Sequence, residues 1–280
     1  MLSLAEAIDM HVHTAPDVVP RAQNDLELVQ SALSAGMRGV VLKNHHFPTA
    51  DRAQLVRACF PQVVVLGGIV LNRAASGGLN PDAVKASIKV GGRVVWLPTT
   101  SASNHHHYVT HHPEPVTLAL SPVVNVTRRG VPVPELDPIL DLISADDLVL
   151  ATGHVASDEV VAIVRRAKER GVHRIVVTHP ELPIVNMPVD TQRDLAADGV
   201  FFERCYFSVL AGTKPSQIVD QIRAVGVSST VLATDLGQIS NPQPIDGFRI
   251  YGELLTRSGI SESEWWTMTR VNPARLLGLD

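Results

Sequence analysis

Cysteine is scarce in this sequence of 280 residues, with only Cys59 and Cys205 present. Two cysteines that lie so far apart in the chain exclude a disulfide-rich scaffold and a zinc site built from several thiolates. The sequence therefore predicts a protein of a reducing compartment, and we expect it to be cytoplasmic.

Four further features are rare or missing. Aromatic residues make up 4% of the chain, so a substrate cage built by ring stacking would have to rely on Trp96, Tyr108 or Phe47. The formal net charge is −4, and no block of like charges occurs, which argues against a nucleic-acid surface or a polybasic membrane patch. No apolar stretch approaches the length of a membrane span, and residues 1–9 lack the basic start of a secretory signal. We expect a small-molecule partner, and homo-oligomerisation stays open.

Short runs rich in Val, Ile and Leu alternate with longer amphipathic segments, the pattern of repeated strand-helix units. The eight predicted strands are AEAIDMHVH, RGVVLKNHH, QVVVLGGIVL, RVVWLPTT, LVLATGH, RIVVTHP, VFFERCY and STVLATDLG. Eight strands in strict alternation with helices predict one α/β domain over residues 1–280, a (β/α)8 barrel of the TIM type. No Gly-rich dinucleotide fingerprint follows the first strand, which disfavours an open doubly wound sheet.

Local signals predict several helix starts and one irregular segment. The predicted N-caps are Asn24, Thr49, Asn80 and Ser261. The first and the last of these have a glutamate three residues later, which is the spacing of a capping box. Residues 100–136 interrupt the rhythm after strand four, and we interpret them as an insertion over the barrel mouth. Within it, VVNVTRRGVPV predicts a small hairpin that turns at Arg129 and Gly130.

Histidines fall where predicted strands end. His11 and His13 end strand one, and alternation along a strand turns them to the same side. The other strand-end residues of this kind are His45, His154, His179 and Asp235. In a parallel barrel these ends converge on the face that carries catalysis. Imidazole and carboxylate ligands suit one or two divalent ions, with zinc as the default and Mn²⁺, Fe²⁺ or Co²⁺ as alternatives.

The motifs DMHVH, TGH, VTHP, ATDLG and VNPARLLGL, in this order, resemble the amidohydrolase superfamily of metal-dependent (β/α)8 hydrolases. VLKNHH and WLPTT are similar to its uncharacterised amidohydrolase-like branch. The resemblance implies that His11, His13, His154 and His179 bind metal or lie beside it. It also implies that Asp235 binds metal and handles the proton of the attacking water. In one-metal members the strand-six histidine acts as an acid, a base or an electrostatic stabiliser, a role that would fall to His179.

Strand four departs from the family pattern. Many two-metal members carry a carboxylated lysine or a glutamate there, whereas RVVWLPTT has neither, so a second ion is open. Lys43 and His45 face the same way on strand two and are candidates for a different bridge or ligand. For Lys43 an ion pair inside the barrel is the alternative. Glu203 on strand seven is a further candidate acid, with a structural salt bridge as its alternative.

Substrate contacts are expected from loops at the mouth. Arg21 and Arg73 follow strands one and three, and each is a candidate for a bidentate contact with a substrate carboxylate, or a solvated surface residue. Asn104 and His105 in the histidine-rich insertion are candidates for contact with substrate or metal.

These residues predict hydrolysis of an amide, lactam, ester or lactone by a metal-activated water. Asp235 would accept the proton of that water and return it to the leaving group, and His179 is the second candidate catalytic residue. Three alternatives stay open: a metal phosphoesterase of the polymerase-and-histidinol-phosphatase type, a one-metal decarboxylase or deaminase of the same superfamily, and an inactive binding barrel.

Overall fold

The structure is a computed structural model that describes residues 2–112 and 122–279. The strands are β1 (Ile8–Val12), β2 (Gly39–Leu42), β3 (Val64–Leu66), β4 (Gly68–Val70), β5 (Val94–Trp96), β6 (Thr127–Arg128), β7 (Val131–Pro132), β8 (Val149–Ala151), β9 (Arg174–Thr178), β10 (Phe201–Cys205) and β11 (Thr230–Ala233). β3 and β4 are separated by Gly67 alone and together form the third predicted strand.

Helices follow the strands along the chain. They are α1 (Asp25–Ser34), α2 (Ala50–Cys59), α3 (Arg73–Ser76), α4 (Pro81–Lys89), α5 (Ser103–His111), α6 (Asp137–Ala145), α7 (Ser157–Glu169), α8 (Val189–Ala197), α9 (Tyr206–Leu210), α10 (Pro215–Val225), α11 (Pro244–Arg257), α12 (Glu262–Trp266) and α13 (Asn272–Leu277). Short 3₁₀ turns occur at Pro134–Leu136 and Val227–Ser229, and one π-helical turn spans Thr267–Val271. No described helix is long and apolar enough to cross a membrane.

Parallel pairing dominates the sheets. β1, β2 and β3 form one sheet in that order, and β4, β5, β8, β9, β10 and β11 form a second, in the spatial order β11-β10-β9-β8-β5-β4. Every pairing in these two sheets is parallel. The predicted α/β class with parallel strands is confirmed.

Backbone hydrogen bonds join the chain after β11 to the end of β1. The amide of Asp235 donates to the carbonyl of His11 at 2.8 Å, and the amide of His13 donates to the carbonyl of Leu236 at 2.8 Å. The ends of the first and last strands therefore lie side by side, and this contact brings His11, His13 and Asp235 together.

A bulge in β1 decides which way its side chains point. Asp9 pairs with Val40 and Val12 pairs with Leu42, so β1 has one residue more than β2 in this interval. Before the bulge, Ile8 lies in a buried group that we call the inner core. Its members are Ile8, Met10, Val41, Val70, Val94, Trp96, Val149, Ala151, Val176, Val231, Ala274, Leu276 and Leu277. After the bulge, Val12 packs in a different cluster with α1 and α11. The extra residue thus changes the direction in which the side chains after the bulge point, so that His11 and His13 face the side on which Asp235 lies.

Helix α13 covers the N-terminal ends of the strands. Its Ala274, Leu276 and Leu277 belong to the inner core. Arg93, just before β5, donates to the carbonyl of Leu277 at 2.7 Å. α13 therefore lies at the N-terminal ends of the strands, whereas His11, His13 and Asp235 lie at the C-terminal ends.

Most predicted helix starts are confirmed. The side chains of Asn24, Asn80 and Ser261 accept backbone hydrogen bonds at the first turns of α1, α4 and α12. The expectation for Thr49 is wrong as regards its side chain, although α2 does begin after it. The Thr49 hydroxyl donates to the carbonyl of Leu42 at 2.7 Å and so makes no cap bond.

The interval 100–136 contains more regular structure than a loop. Its histidine-rich part forms α5, and residues 113–121 lie outside the described residues. The predicted hairpin is confirmed, because β6 and β7 pair antiparallel. Arg129 and Gly130, the predicted turn residues, have φ values of 52° and 77°.

Candidate metal centre

The carboxylate of Asp235 lies among histidines at the C-terminal ends of the strands. Its Oδ1 atom is 3.0 Å from Nε2 of His11 and 3.0 Å from Nε2 of His13. Its Oδ2 atom is 3.3 Å from Nε2 of His179. All four residues are buried. The structure thus brings four of the predicted ligands together, and we call His11, His13, His179 and Asp235 the central cluster.

Two members of the central cluster have left-handed backbone conformations, with φ of 54° at His179 and 53° at Asp235. Such conformations cost about 1–3 kcal/mol for a residue other than glycine and recur at functional sites. At His179 the conformation also redirects the side chain. Val176 faces the inner core, so simple alternation would turn His179 towards the helices, whereas the left-handed turn directs it at Asp235.

Glu203 on β10 determines which nitrogen of His11 carries the hydrogen. Nδ1 of His11 lies 3.0 Å from Oε2 of Glu203, and because a carboxylate oxygen accepts, Nδ1 donates. With Nδ1 protonated, Nε2 of the neutral ring has a lone pair, which faces Oδ1 of Asp235. A lone pair and a carboxylate oxygen only 3.0 Å apart need a cation or a proton between them. Burial lowers the pKa of His11, but the charges of Asp235 and Glu203 outweigh burial and raise it.

The other groups have the protonation states that a metal requires. Burial lowers the pKa of both His13 and His179 to about 3, so both rings are neutral at pH 7. Burial raises the pKa of Asp235, but His11 and His179 hold it well below its ordinary value. Neutral imidazoles and an ionised carboxylate are the forms that ligate metals. Nδ1 of His13 and Nδ1 of His179 are buried without a hydrogen-bond partner.

The positions of the donor atoms also fit a divalent ion. One ligand atom each from His11, His13 and Asp235 lies within 4.8 Å of the others, and the same holds for His11, His179 and Cys205. The first set has the chemistry of a zinc site, with two imidazoles and a carboxylate. In the second set, burial raises the pKa of the Cys205 thiol well above its ordinary value, so a neutral thiol faces His11. Sequence reasoning assigned no role to Cys205.

The side chain of Lys43 lies beside the central cluster. Its Nζ atom is 2.9 Å from Nε2 of His11, and the residue is buried. Burial lowers the pKa of Lys43, while the charges of Asp235 and Glu203 act to raise it. Lys43 therefore lies where its ammonium would offset these two carboxylates, a position compatible with either of the roles expected for it.

His45 is held beside the cluster by residues that sequence reasoning missed. Its ring stacks on His13 with centroids 4.8 Å apart, and its Nδ1 is 2.8 Å from the hydroxyl of Thr99. The side chain of Asn72 donates to that hydroxyl at 2.7 Å and to the carbonyl of His45 at 3.0 Å. The only sequence signal for this network was the polar end of strand four, WLPTT.

His154 lies at the edge of the site, and two residues of α5 contact it. Nδ1 of His105 is 2.9 Å from Nδ1 of His154, and the rings stack at 5.0 Å. The side chain of Asn104 donates to the carbonyl of His154 at 3.2 Å. The ring of His154 is 5.7 Å from that of His179. The ligand role of His154 and the substrate role of the two α5 residues stay predictions, and the structure places both α5 residues where they position His154.

The two candidate arginines have different surroundings. Arg21 donates from Nε to Asp17 at 2.7 Å, and its side chain is only 4% exposed. Its positive charge contributes to the lowered pKa values of His13 and His45, although burial dominates both, so it lies near the cluster. Arg73 is exposed and donates to the carbonyl of Gly77 at the end of its own short helix. Arg21 is therefore the better placed of the two for a substrate anion.

A buried ion pair supports the segment that follows His179. Nη1 of Arg204 is 3.1 Å from Oε2 of Glu181, and the two side chains are at most 1% exposed. Arg204 also donates to Gln192 at 2.7 Å and to Gln221 at 2.8 Å. Arg204 therefore faces the helices, whereas Glu203 and Cys205, its neighbours on β10, face His11.

Replacing Arg204 with methionine is expected to lower the free energy of unfolding by about 3 kcal/mol, because Glu181 would keep a buried charge without its partner. Denaturant unfolding measures this. Arg193→Met removes an exposed pair with Asp190 and should change stability by less than about 0.5 kcal/mol. Equal stability of the two variants would contradict the role of the buried pair.

Comparison with protein families gives one match. The model of DUF6282, described as a family of unknown function, matches residues 6–203. That range includes β1 to β9 and part of β10, with every residue of the central cluster except Asp235. No curated protein matches the chain.

Solved structures match over the whole chain. A protein from Pseudomonas putida provisionally assigned as a 2-pyrone-4,6-dicarboxylic acid hydrolase has a TM-score of 0.64 and 12% identity, covering 100% of this chain and 99% of its own. An amidohydrolase from Burkholderia multivorans with bound zinc has a TM-score of 0.61 and 13% identity, covering 98% and 99%. A 2,6-dihydroxybenzoate decarboxylase from Rhizobium has a TM-score of 0.59 and 14% identity, covering 99% of both chains. The resemblance to the amidohydrolase superfamily is thus confirmed for the fold.

Proposed function

We propose that this chain, which belongs to the DUF6282 family of unknown function, is a metal-dependent hydrolase that acts on a small molecule. The observation that carries this proposal is the convergence of His11 and His13 on Oδ1 of Asp235, each at 3.0 Å through Nε2. We include in the proposal that the strands close into a (β/α)8 barrel over residues 1–280. Residues 100–136 would be an insertion at its mouth.

The hydrogen bonds between the ends of β1 and β11 support closure, because they provide the contact that an open sheet lacks between its edge strands. Continuity of β3 and β4 through Gly67 would join the two sheets at the other side. We expect the protein to be cytoplasmic, and an association of several copies is compatible with the proposal.

His11, His13 and Asp235 would hold one divalent ion, zinc by default, with His179 or His154 as a further ligand. When bound, such an ion polarises a carbonyl and lowers the pKa of a water molecule towards 7. Glu203 accepts from Nδ1 of His11 and so keeps Nε2 available as a ligand.

Asp235 is the proposed proton carrier. Its carboxylate is ionised and held at the centre of the cluster, where it can accept a proton from an attacking water and return it to the leaving group. His179 is neutral at pH 7 and lies 3.3 Å from Oδ2 of Asp235, so it can orient that carboxylate or donate to substrate. These roles suit hydrolysis of an amide, lactam, ester or lactone.

Arg21 is the proposed substrate anchor. Its guanidinium is fixed by Asp17 at 2.7 Å, which orients it without filling all of its donors. A substrate with a carboxylate near the scissile bond would satisfy those donors, as bidentate pairing with arginine allows.

A one-ion decarboxylase is the second candidate. β5, which is strand four of the proposed barrel, has the sequence VVW without lysine or glutamate, so no bridging carboxylate for a second ion comes from this strand. The likeness in fold to a 2,6-dihydroxybenzoate decarboxylase is compatible with this reaction. Release of carbon dioxide distinguishes it from hydrolysis.

The experiment that tests the proposal has two stages. Elemental analysis of the purified protein comes first and should find about one tightly held divalent ion per chain. Screening of lactones, amides and esters follows, with phosphoesters and carboxylic acids as the competing substrate classes. A protein that binds no divalent ion would contradict the proposal, and turnover of phosphoesters alone would favour the phosphoesterase alternative.

Replacing Lys43 with methionine is expected to leave the number of tightly held ions at one, because an ammonium has no lone pair for a metal and we propose that Lys43 offsets the charges of Asp235 and Glu203 rather than binding a second ion. Elemental analysis of both proteins after extensive dialysis measures this. Two tight ions in the unmodified chain and one in Lys43→Met would show instead that Lys43 helps to hold a second ion.

A further inference from the structure

Two histidines outside the central cluster lie one helical turn apart on α5. His107 and His111 are both exposed, and their ring centroids are 4.2 Å apart. Side chains at positions i and i+4 of a helix lie on the same face. Two imidazoles at this spacing can therefore bind one ion together without any change in the helix.

Hydrogen bonding prepares one of these rings for metal binding. Nδ1 of His111 is 2.7 Å from the carbonyl oxygen of His107. Because a carbonyl oxygen only accepts, Nδ1 carries the hydrogen and Nε2 has the lone pair when the ring is neutral. Metal-binding histidines commonly donate from their second nitrogen to a carbonyl in this way.

We propose that His107 and His111 form a second metal site, for a divalent transition ion such as Zn²⁺, Ni²⁺ or Cu²⁺, separate from the central cluster. Imidazole is a preferred ligand of these ions. His107 also lines a cavity of about 360 Å³ together with Asp158 and Glu159. Their carboxylates make this surface favourable for a cation.

The site is expected to bind more weakly than the central cluster. Among the residues that the structure describes, compact groups of three ligand atoms occur only around His11. Two imidazoles therefore provide the protein ligands at α5, and water completes the coordination. His112 provides a matched control, because its Nδ1 donates to the carbonyl of Tyr108 in the same manner, while its neighbour one turn away is this tyrosine.

Equilibrium dialysis of the full chain over a range of free Zn²⁺ tests the proposal, with zinc per chain measured by elemental analysis. We expect a tight step and a weaker step. His107→Ala and His111→Ala should each lose the weaker step, and His112→Ala should keep both. Retention of the weaker step in His111→Ala, or its equal loss in His112→Ala, would overturn the proposal.

The same titration distinguishes this site from the central one. His11→Ala should lose the tight step and keep the weaker one, whatever reaction the protein catalyses. The altered α5 residues are exposed, so circular dichroism should match that of the unmodified chain. Loss of the weaker step in His11→Ala would show that the weaker zinc binding depends on the central cluster. The proposal of a separate site would then be wrong.

Discussion

Replacement of His11 with alanine is expected to weaken binding of the central divalent ion by more than about 100-fold. Changing an outer residue that only orients a ligand costs roughly 10- to 100-fold in metal affinity, and loss of a direct ligand should exceed that range. His11 is 3.0 Å from Asp235 through Nε2 and 3.0 Å from Glu203 through Nδ1, so its removal also frees Glu203. Metal content after dialysis against a competing chelator measures the effect.

His173→Ala is the matched control for this experiment. It also removes one histidine, but His173 is exposed and lies just before β9, at the opposite ends of the strands. Glu203→Gln should give an intermediate loss of about 10- to 100-fold, because it weakens the orientation of His11 without removing the ligand. Equal metal content in His11→Ala and the unmodified chain would disprove the assignment of the ion to the central cluster.

Replacement of Asp235 with asparagine is expected to lower turnover by roughly 100- to 10,000-fold, the contribution of a general base. Asparagine keeps the shape of the side chain. It also tolerates the left-handed backbone at this position, where φ is 53°. Metal content should fall much less than turnover, because His11, His13 and one further histidine still hold the ion. The measurement compares turnover per bound ion with that of the unmodified protein.

Glu203→Gln separates the two acids that lie near the cluster. If Asp235 is the base, Glu203→Gln should retain measurable turnover per bound ion, since its effect is on affinity for the metal. Full turnover in Asp235→Asn together with an inactive Glu203→Gln would move the base to β10. Asp235 would then be a structural residue or a ligand only.

Local signals in the sequence were sufficient to predict many of the helix starts, the hairpin and the strand ends. Asn24 and Ser261 cap helices because the capping box is formed within four residues. The hairpin at Arg129 and Gly130 is equally local, since its turn uses two adjacent residues with positive φ. The strand-end positions of the histidines could also be predicted, because parallel strands in repeated strand-helix units place their C-terminal ends on one side.

Contacts between distant segments decided the details of the site. The bulge between Asp9 and Val12 depends on pairing with β2, and no residue type within β1 predicts it. The left-handed turn at His179 is likewise set by its surroundings, because histidine has no intrinsic preference strong enough to require it. Thr49 illustrates the reverse case, in which a tertiary acceptor, the carbonyl of Leu42, replaced the predicted local cap.

The sequence alone determined which residue types stand at the strand ends, and hence that imidazoles and a carboxylate would collect on one side. Only the tertiary structure decided which atoms meet: Nε2 of His11 with Asp235, its Nδ1 with Glu203, and Lys43 beside both. The physical reason is that the hydrophobic periodicity of a strand or helix predicts on which face a side chain lies, and it does so to within one residue along the chain. Hydrogen bonds to a ring nitrogen depend instead on distances of about 3 Å, which chain segments far apart in sequence must set together.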